Sequence, residues 1–354
     1  MNSILNKVEI VNFELIHRDS WDNFCLNESE AWFWHTSSRI EHALEVAGNS
    51  GNNQSFSVFL NNKVIAICPL IVSMDNDHFV ISYSGWGTPA PIVSSFLSIS
   101  NRKKIKNLIY NQIEIIALQF NVSKILLSKF PQIINTENPY FFYNDLIELG
   151  YMNSSTYTSI VDLRESDQTI FSALRNNHRR DIKKYSQMIN YEFIDSASIS
   201  KKIIKQFKDF YFQVASKKTH PDKVFDIFYK MIMEGNALLV KGYIPEKING
   251  YILLITYKSQ VYYLLGAQDN EKFPLIKILL FNSITHFKML KYNSFEIGRM
   301  EFEKSVFLST DPKRIEISNF KKGFGGNIYP IHQGLKYLNQ DILKADFSKF
   351  LNSY

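Results

Sequence analysis

The chain has 354 residues, 45% apolar and 21% charged, a length that exceeds one compact core and suits two domains of roughly 150–180 residues. That balance excludes an intrinsically disordered chain. A net charge of +6 is too mild to single out a partner; it suits a nucleotide, CoA or tRNA alike.

In chain order, SFSVFLN (55–61), Asn61-Asn62 and KVIAICPLIV (63–72) predict a β-hairpin. A third strand, HFVISYS (78–84), runs into the loop Gly85–Pro91. A helix over about 101–120 follows, with Ile105, Leu108, Ile109, Ile113 and Ile116 at helical spacing, and SKILLSKF (123–130) is a buried strand. The strand YTSIVDL (157–163) and a helix from about 167 to 187 mark the junction. Two short helices are expected within 197–235. The first order then recurs about 180 residues on: strands 236–243, 250–257 and 260–266, the loop Gly266–Pro274, a helix from near Pro274 and the strand SFEIG (294–298). Duplication is the simplest account. It predicts domains over 1–163 and 164–330, with a polar tail, 331–354, returning to the first. No Pro/Gly/Ser-rich linker separates the halves, so a rigid seam with a cleft is expected between them.

The two cysteines, Cys25 and Cys68, cannot form a disulfide framework and read as small buried hydrophobes. No CxxC or His-rich spacing points to a metal. Lys7, Glu9 and Glu14 interrupt any signal-peptide core, and the best apolar run, Leu275 to Phe281, is far below the ~20 residues that span a bilayer. The expectation is a cytoplasmic protein without a membrane span.

Arg175, Arg179 and Lys183 fall at i, i+4 and i+8 of the helix after the junction, beside Arg180 and Lys184. Guanidinium forks match phosphate oxygens, so this ridge is either a phosphate clamp or a solvated basic face. His178 lies on the apolar stripe of the same helix. His220, in SKKTHPDK, either faces a cleft or belongs to a plain loop. Tyr83, Trp86 and Tyr263 are stacking surfaces for a sugar or base, or core residues. Gly266, Ala267 and Gln268 precede the second repeat's helix, whose N-terminal N–H groups suit a pyrophosphate. They fit the (R/Q)xxGx(G/A) pattern poorly, and a plain turn is the other reading.

Three antiparallel strands, a loop, a helix and a further strand resemble a GNAT core, and three motifs sharpen that. IFSALRNNHRRDIKK (170–184) resembles the LRxxxRRxIxK helix that opens the second domain of the FemAB-like family. FKKGFGG (320–326) resembles its FKxxFGG signature, and FEIG (295–298) its FDxGG strand. The resemblance covers about residues 20–330. It implies an α/β fold of two tandem GNAT-like domains, each a mixed, mainly antiparallel sheet flanked by helices.

The resemblance also implies roles. Lys321, beside the apolar Phe320, would line the channel where the substrates meet and steady an oxyanion. Among Glu296, Arg299, Glu301 and Glu303, Glu301 is the expected general base because it lies between two family motifs. The implied reaction is N-acyl transfer by direct amine attack, without a metal. Its donor is acetyl-CoA or another acyl-CoA, and its acceptor a nucleotide-linked amino sugar or similar cell-envelope precursor. No GxSxG, Cys–His context or Walker loop supports another chemistry. An aminoacyl-tRNA donor acting on a peptidoglycan precursor is the alternative, although the helical arm of some tRNA-using relatives is absent. A non-catalytic RNA- or partner-binding module is the third reading.

Overall fold

The computed structural model describes residues 4–16, 18–83, 86–131, 143–244, 248–269, 272–301 and 312–352. The chain divides into two compact units, Met1–Ser155 with Ile331–Tyr354, and Thr156–Pro330.

In the first unit β1 (Val8–Asn12), α1 (Arg18–Asn27) and α2 (Ser37–Ala47) precede the meander. The meander comprises β2 (Asn52–Asn53), β3 (Phe56–Leu60), β4 (Lys63–Cys68), β5 (Ile71–Asp75) and β6 (His78–Ile81). The expected single strand over 63–72 is two strands, because Pro69 has no N–H to give a ladder and the chain changes sheet there. β4 stays on β3, and β5 pairs with β2 and β6. Then come β7 (Thr88–Pro89), β8 (Ile92–Val93), α3 (Ile99–Gln119), β9 (Lys124–Lys129) and β10 (Met152–Asn153). Ile105, Ile109, Ile113 and Ile116 recur at helical spacing and are buried on the strands, which is why this segment is a helix.

The second unit opens with β11 (Thr156–Asp162), α4 (Asp167–Ala173) and α5 (Asn176–Tyr185). The sequence predicts one helix here; Leu174 and Arg175 are instead extended, and the Arg175 N–H donates to the Gly323 carbonyl at 2.9 Å. There follow β12 (Asn190–Ile194), α6 (Lys201–Ala215), α7 (Lys223–Met233), β13 (Ala237–Ile244), β14 (Ile248–Tyr257) and β15 (Gln260–Gln268). Last come α8 (Leu275–Met289), β16 (Ser294–Met300) and α9 (Pro312–Lys322). The strand order is β12-β13-β14-β15-β16-β11, antiparallel except for β15 on β16. β13 and β14 read as nearly unbroken apolar runs because both faces are covered. Ile252 and Leu254 meet α8, while Phe207 of α6 packs on Tyr251, ring centres 5.4 Å apart.

β17 (Asn327–Tyr337) pairs from His332 to Tyr337 with β9, and α10 (Gln340–Leu351) follows in the first unit. Among the described residues, no helix is long and apolar enough to cross a membrane.

Candidate functional site

Each unit brings the last meander strand parallel to the strand after its long helix. In the second unit β15 and β16 pair at Gln260↔Ser294, Val261↔Phe295 and Tyr262↔Glu296. Beyond that point β15 continues on β14 as far as Gln268, and β16 continues on β11 as far as Met300. The two strands therefore part, and Tyr262 and Glu296 stand at the fork. Register shifts at Leu264 in β15 and Ile297 in β16 bend both strands where they separate. In the first unit the corresponding pairing is Val80↔Lys124 and Ile81↔Ile125, but there Thr88 and Pro89 take up Leu127 and Ser128 of β9. The first fork is thus occupied by the chain's own backbone.

α9 lies against β16 and carries Lys321 to the second fork. The Lys321 Nζ donates to the Arg299 carbonyl at 2.8 Å. Gly298 has φ of +99°, and a Cβ built there would lie 3.2 Å from Lys321 Nζ and 3.3 Å from the Tyr262 hydroxyl. Glycine meets both demands, a left-handed backbone and an ammonium brought close to the strand. Glu296 is buried and its Oε1 accepts from the Thr158 hydroxyl at 2.6 Å. Burial pushes its carboxyl up to about 7, against the pull of that hydrogen bond and of the Lys321 charge. Burial likewise brings Lys321 down to about 8, opposed by Glu296 and Glu301 and helped by Arg299. The fork thus holds a buried carboxyl raised, and a buried ammonium lowered, toward neutrality.

Glu301 sits at the end of β16. Its N–H donates to Ser318 Oγ at 2.8 Å, and its Oε1 accepts from Arg314 Nη1 at 3.2 Å. Its carboxylate is thereby committed to an ion pair, whereas Glu296 holds a single hydroxyl. The Arg299 guanidinium is buried, and burial lowers its pKa. Glu303 and Gly85 lie outside the described residues.

The two terminal motifs of the second unit meet each other. His178 of α5 packs edge-on against Phe324 at 4.9 Å and beside Phe320 at 5.6 Å. A Cβ on Gly323 would come within 2.2 Å of the imidazole Cε1, so only glycine fits under this ring. Burial lowers His178 to about 4, with the Lys277 charge adding to the effect, so the ring is neutral. This contact fixes the C-terminal end of α9, and with it Lys321.

The other sequence-predicted residues are dispersed. Arg179 turns back across the break between α4 and α5, donating to Ser172 O and Asn176 Oδ1. Arg180 is exposed beside Asp181, with Nε 3.6 Å from Oδ1, and Lys183 rests its ammonium over the Phe171 ring at 5.5 Å. The break before α5 puts Arg175 at the cap, off the expected ridge. His220 lies between α6 and α7 against Tyr211, and burial lowers its pKa. Tyr263 is in β15, where its hydroxyl lies 2.6 Å from a Cβ built on Gly266. Ala267 is buried, and Gln268 caps α8: its Oε1 accepts from the Ile276 N–H at 2.9 Å and its Nε2 donates to Phe273 O at 2.7 Å. Tyr83 and Trp86 belong to the first unit. Tyr83 is buried under the Arg39 guanidinium, whereas Trp86 is 42% exposed. Sequence reasoning missed Tyr262 and Thr158; neither lies in a motif, and only strand register puts them beside Glu296.

Among the described residues no group of His, Cys, Asp and Glu could hold a metal ion. No known family's model matches the sequence, and none of the curated proteins matches it. Solved structures do match. FemX gives a TM-score of 0.67 at 14% identity, over 95% of this chain and 99% of that one. L-PGS from Bacillus licheniformis gives 0.56 at 11% identity, over 94% of each chain. A tandem GNAT protein from the clavulanic acid biosynthesis pathway gives 0.52 at 8% identity, over 93% of this chain and 98% of that one. At such identities the likeness is one of fold, and the chain has the FemAB-like, tandem GNAT fold.

Proposed function

We propose that the chain is an N-acyltransferase whose reaction centre is the fork of β15 and β16. The observation that carries this reading is the Lys321 ammonium beside Gly298, with buried Glu296 on the same strand. An acceptor ammonium must lose a proton before its nitrogen can attack a carbonyl. Glu296, near neutrality, is matched to take it. As the C–N bond forms, an electron pair moves onto the carbonyl oxygen, and Lys321 stabilises that oxyanion. The intermediate then expels the donor's leaving group, which leaves with the proton held by Glu296. The regenerated carboxylate takes the remaining extra proton from the new amide nitrogen and releases it to solvent. Lys321 keeps the role its motif implied, and the base is Glu296 rather than Glu301, which is bound to Arg314.

Acetyl-CoA or another acyl-CoA is the donor in this reading. The acceptor is the amino group of a nucleotide-linked amino sugar or a similar cell-envelope precursor. One observation favours a second donor: Gln268 already occupies the Ile276 N–H at the start of α8, where a CoA diphosphate would sit. An aminoacyl ester on tRNA does not need that place, and the exposed Arg180, Lys183 and Lys184 offer a basic face to its backbone. A thermal-shift screen with acetyl-CoA, CoA, UDP-sugars, dTDP-sugars and tRNA separates the two. A rise with acetyl-CoA supports the first donor, a rise with tRNA alone supports the second, and no rise with either contradicts both.

A further inference from the structure

Phe96 is 91% exposed and Ile99 is 88% exposed, and they lie three residues apart at the start of α3. The segment that carries Phe96 is held in place. Ser94 Oγ donates to Glu28 Oε1 at 2.6 Å and the Ser95 N–H to Glu28 Oε2 at 2.9 Å, with Glu28 itself buried. Ser98 caps the helix by accepting from the Asn101 N–H. A large apolar pair fixed in water costs free energy that a monomer gains nothing from.

One turn behind this tip come Arg102, Lys103, Lys104 and Lys106, and the first turn has no acidic residue. The N-terminal end of a helix carries partial positive charge within its first turn, so Arg102 opposes the dipole and the three lysines of the next turn add to the positive charge there. Glu30 answers Arg102 at 2.8 Å and Asp145 answers Lys106 at 3.7 Å, while Lys103 and Lys104 are exposed. Ile99 and Lys103 are four residues apart and share a side of the helix, about one 5.4 Å turn from each other. Apolar side chains that enter the acyl boundary, with lysines one turn back at phosphate level, are the pattern of a surface-bound anchor.

We propose that Phe96 and Ile99, backed by Lys103 and Lys104, dock the first unit on an anionic lipid surface. The test is co-sedimentation of the full chain with phosphatidylcholine vesicles and with vesicles of equal parts phosphatidylcholine and phosphatidylglycerol. The wild type is expected to bind the anionic vesicles and to bind the neutral ones far less. The pair Lys103→Gln/Lys104→Gln should bind about thirtyfold more weakly. The pair Phe96→Ser/Ile99→Ser should lose at least roughly tenfold with an unchanged melting temperature, because both side chains stand in solvent. A wild type that ignores anionic vesicles, or serine variants that bind as well as it does, would overturn the proposal. So would light scattering that showed a dimer abolished by Phe96→Ser, since a second copy would then cover the patch.

Discussion

Glu296 and Lys321 titrate from opposite sides toward the same range, and the sign of each effect follows from its direction. Glu296 is raised from 4.5 to about 7, so the folded state holds an extra proton in that window and loses stability as pH rises through it. Lys321 is lowered from 10.5 to about 8, so the folded state releases its proton early and stability recovers as pH rises between those values. Glu296→Gln does not titrate, and its melting temperature, followed across this range, should lack the fall and exceed that of the wild type at pH 8. In an acyl-transfer assay the same variant should lose roughly a hundredfold in rate. Wild-type rates should peak between about 7 and about 8, as properties of the pair rather than of either group. A flat pH profile would contradict these assignments. The carboxylates were visible in the sequence as a group, and position between two motifs pointed there to Glu301. Glu296 is buried by β11 and β15 whereas Glu301 pairs with Arg314, and both differences follow from strand register and the placing of α9.

At the scale of elements, α9 holds its lysine through Gly323. Gly323→Ala would drive a methyl group into the His178 ring and should cost roughly 1–3 kcal/mol in denaturant unfolding. His178→Ala should relieve much of that cost in the double variant, so additive losses would contradict the contact. The start of α8 makes a second prediction. If an acyl-CoA diphosphate binds there, Gln268→Ala frees the Ile276 N–H and should tighten CoA binding measured by calorimetry. Unchanged affinity would place the diphosphate elsewhere. Helices with strong apolar spacing, such as α3, were legible in the sequence because burial follows that spacing. The interruption between α4 and α5 was not, since it is set by a carbonyl more than a hundred residues away. The turn at Asn61-Asn62 was legible because both residues take positive φ, as asparagine allows. Lys258 and Ser259 adopt the same conformation without that signature.

Across the whole chain, the meander, helix and strand recur in both units, and the internal repeat made that fold class readable before any coordinates. The difference between the copies was hidden. Thr88 and Pro89 fill the first fork through hydrogen bonding to β9, which no residue pattern announces, so in the sequence only the motif around Lys321, and not the repeat itself, set the second copy apart. The claim that it is the second unit, through Lys321, is tested most directly by Lys321→Met in a transfer assay run with the donor found by ligand screening. The account predicts a fall in kcat/KM of at least about a hundredfold, the scale of losing an oxyanion donor, with the melting temperature at neutral pH undiminished. A folded variant that transfers acyl groups as fast as the wild type would contradict it.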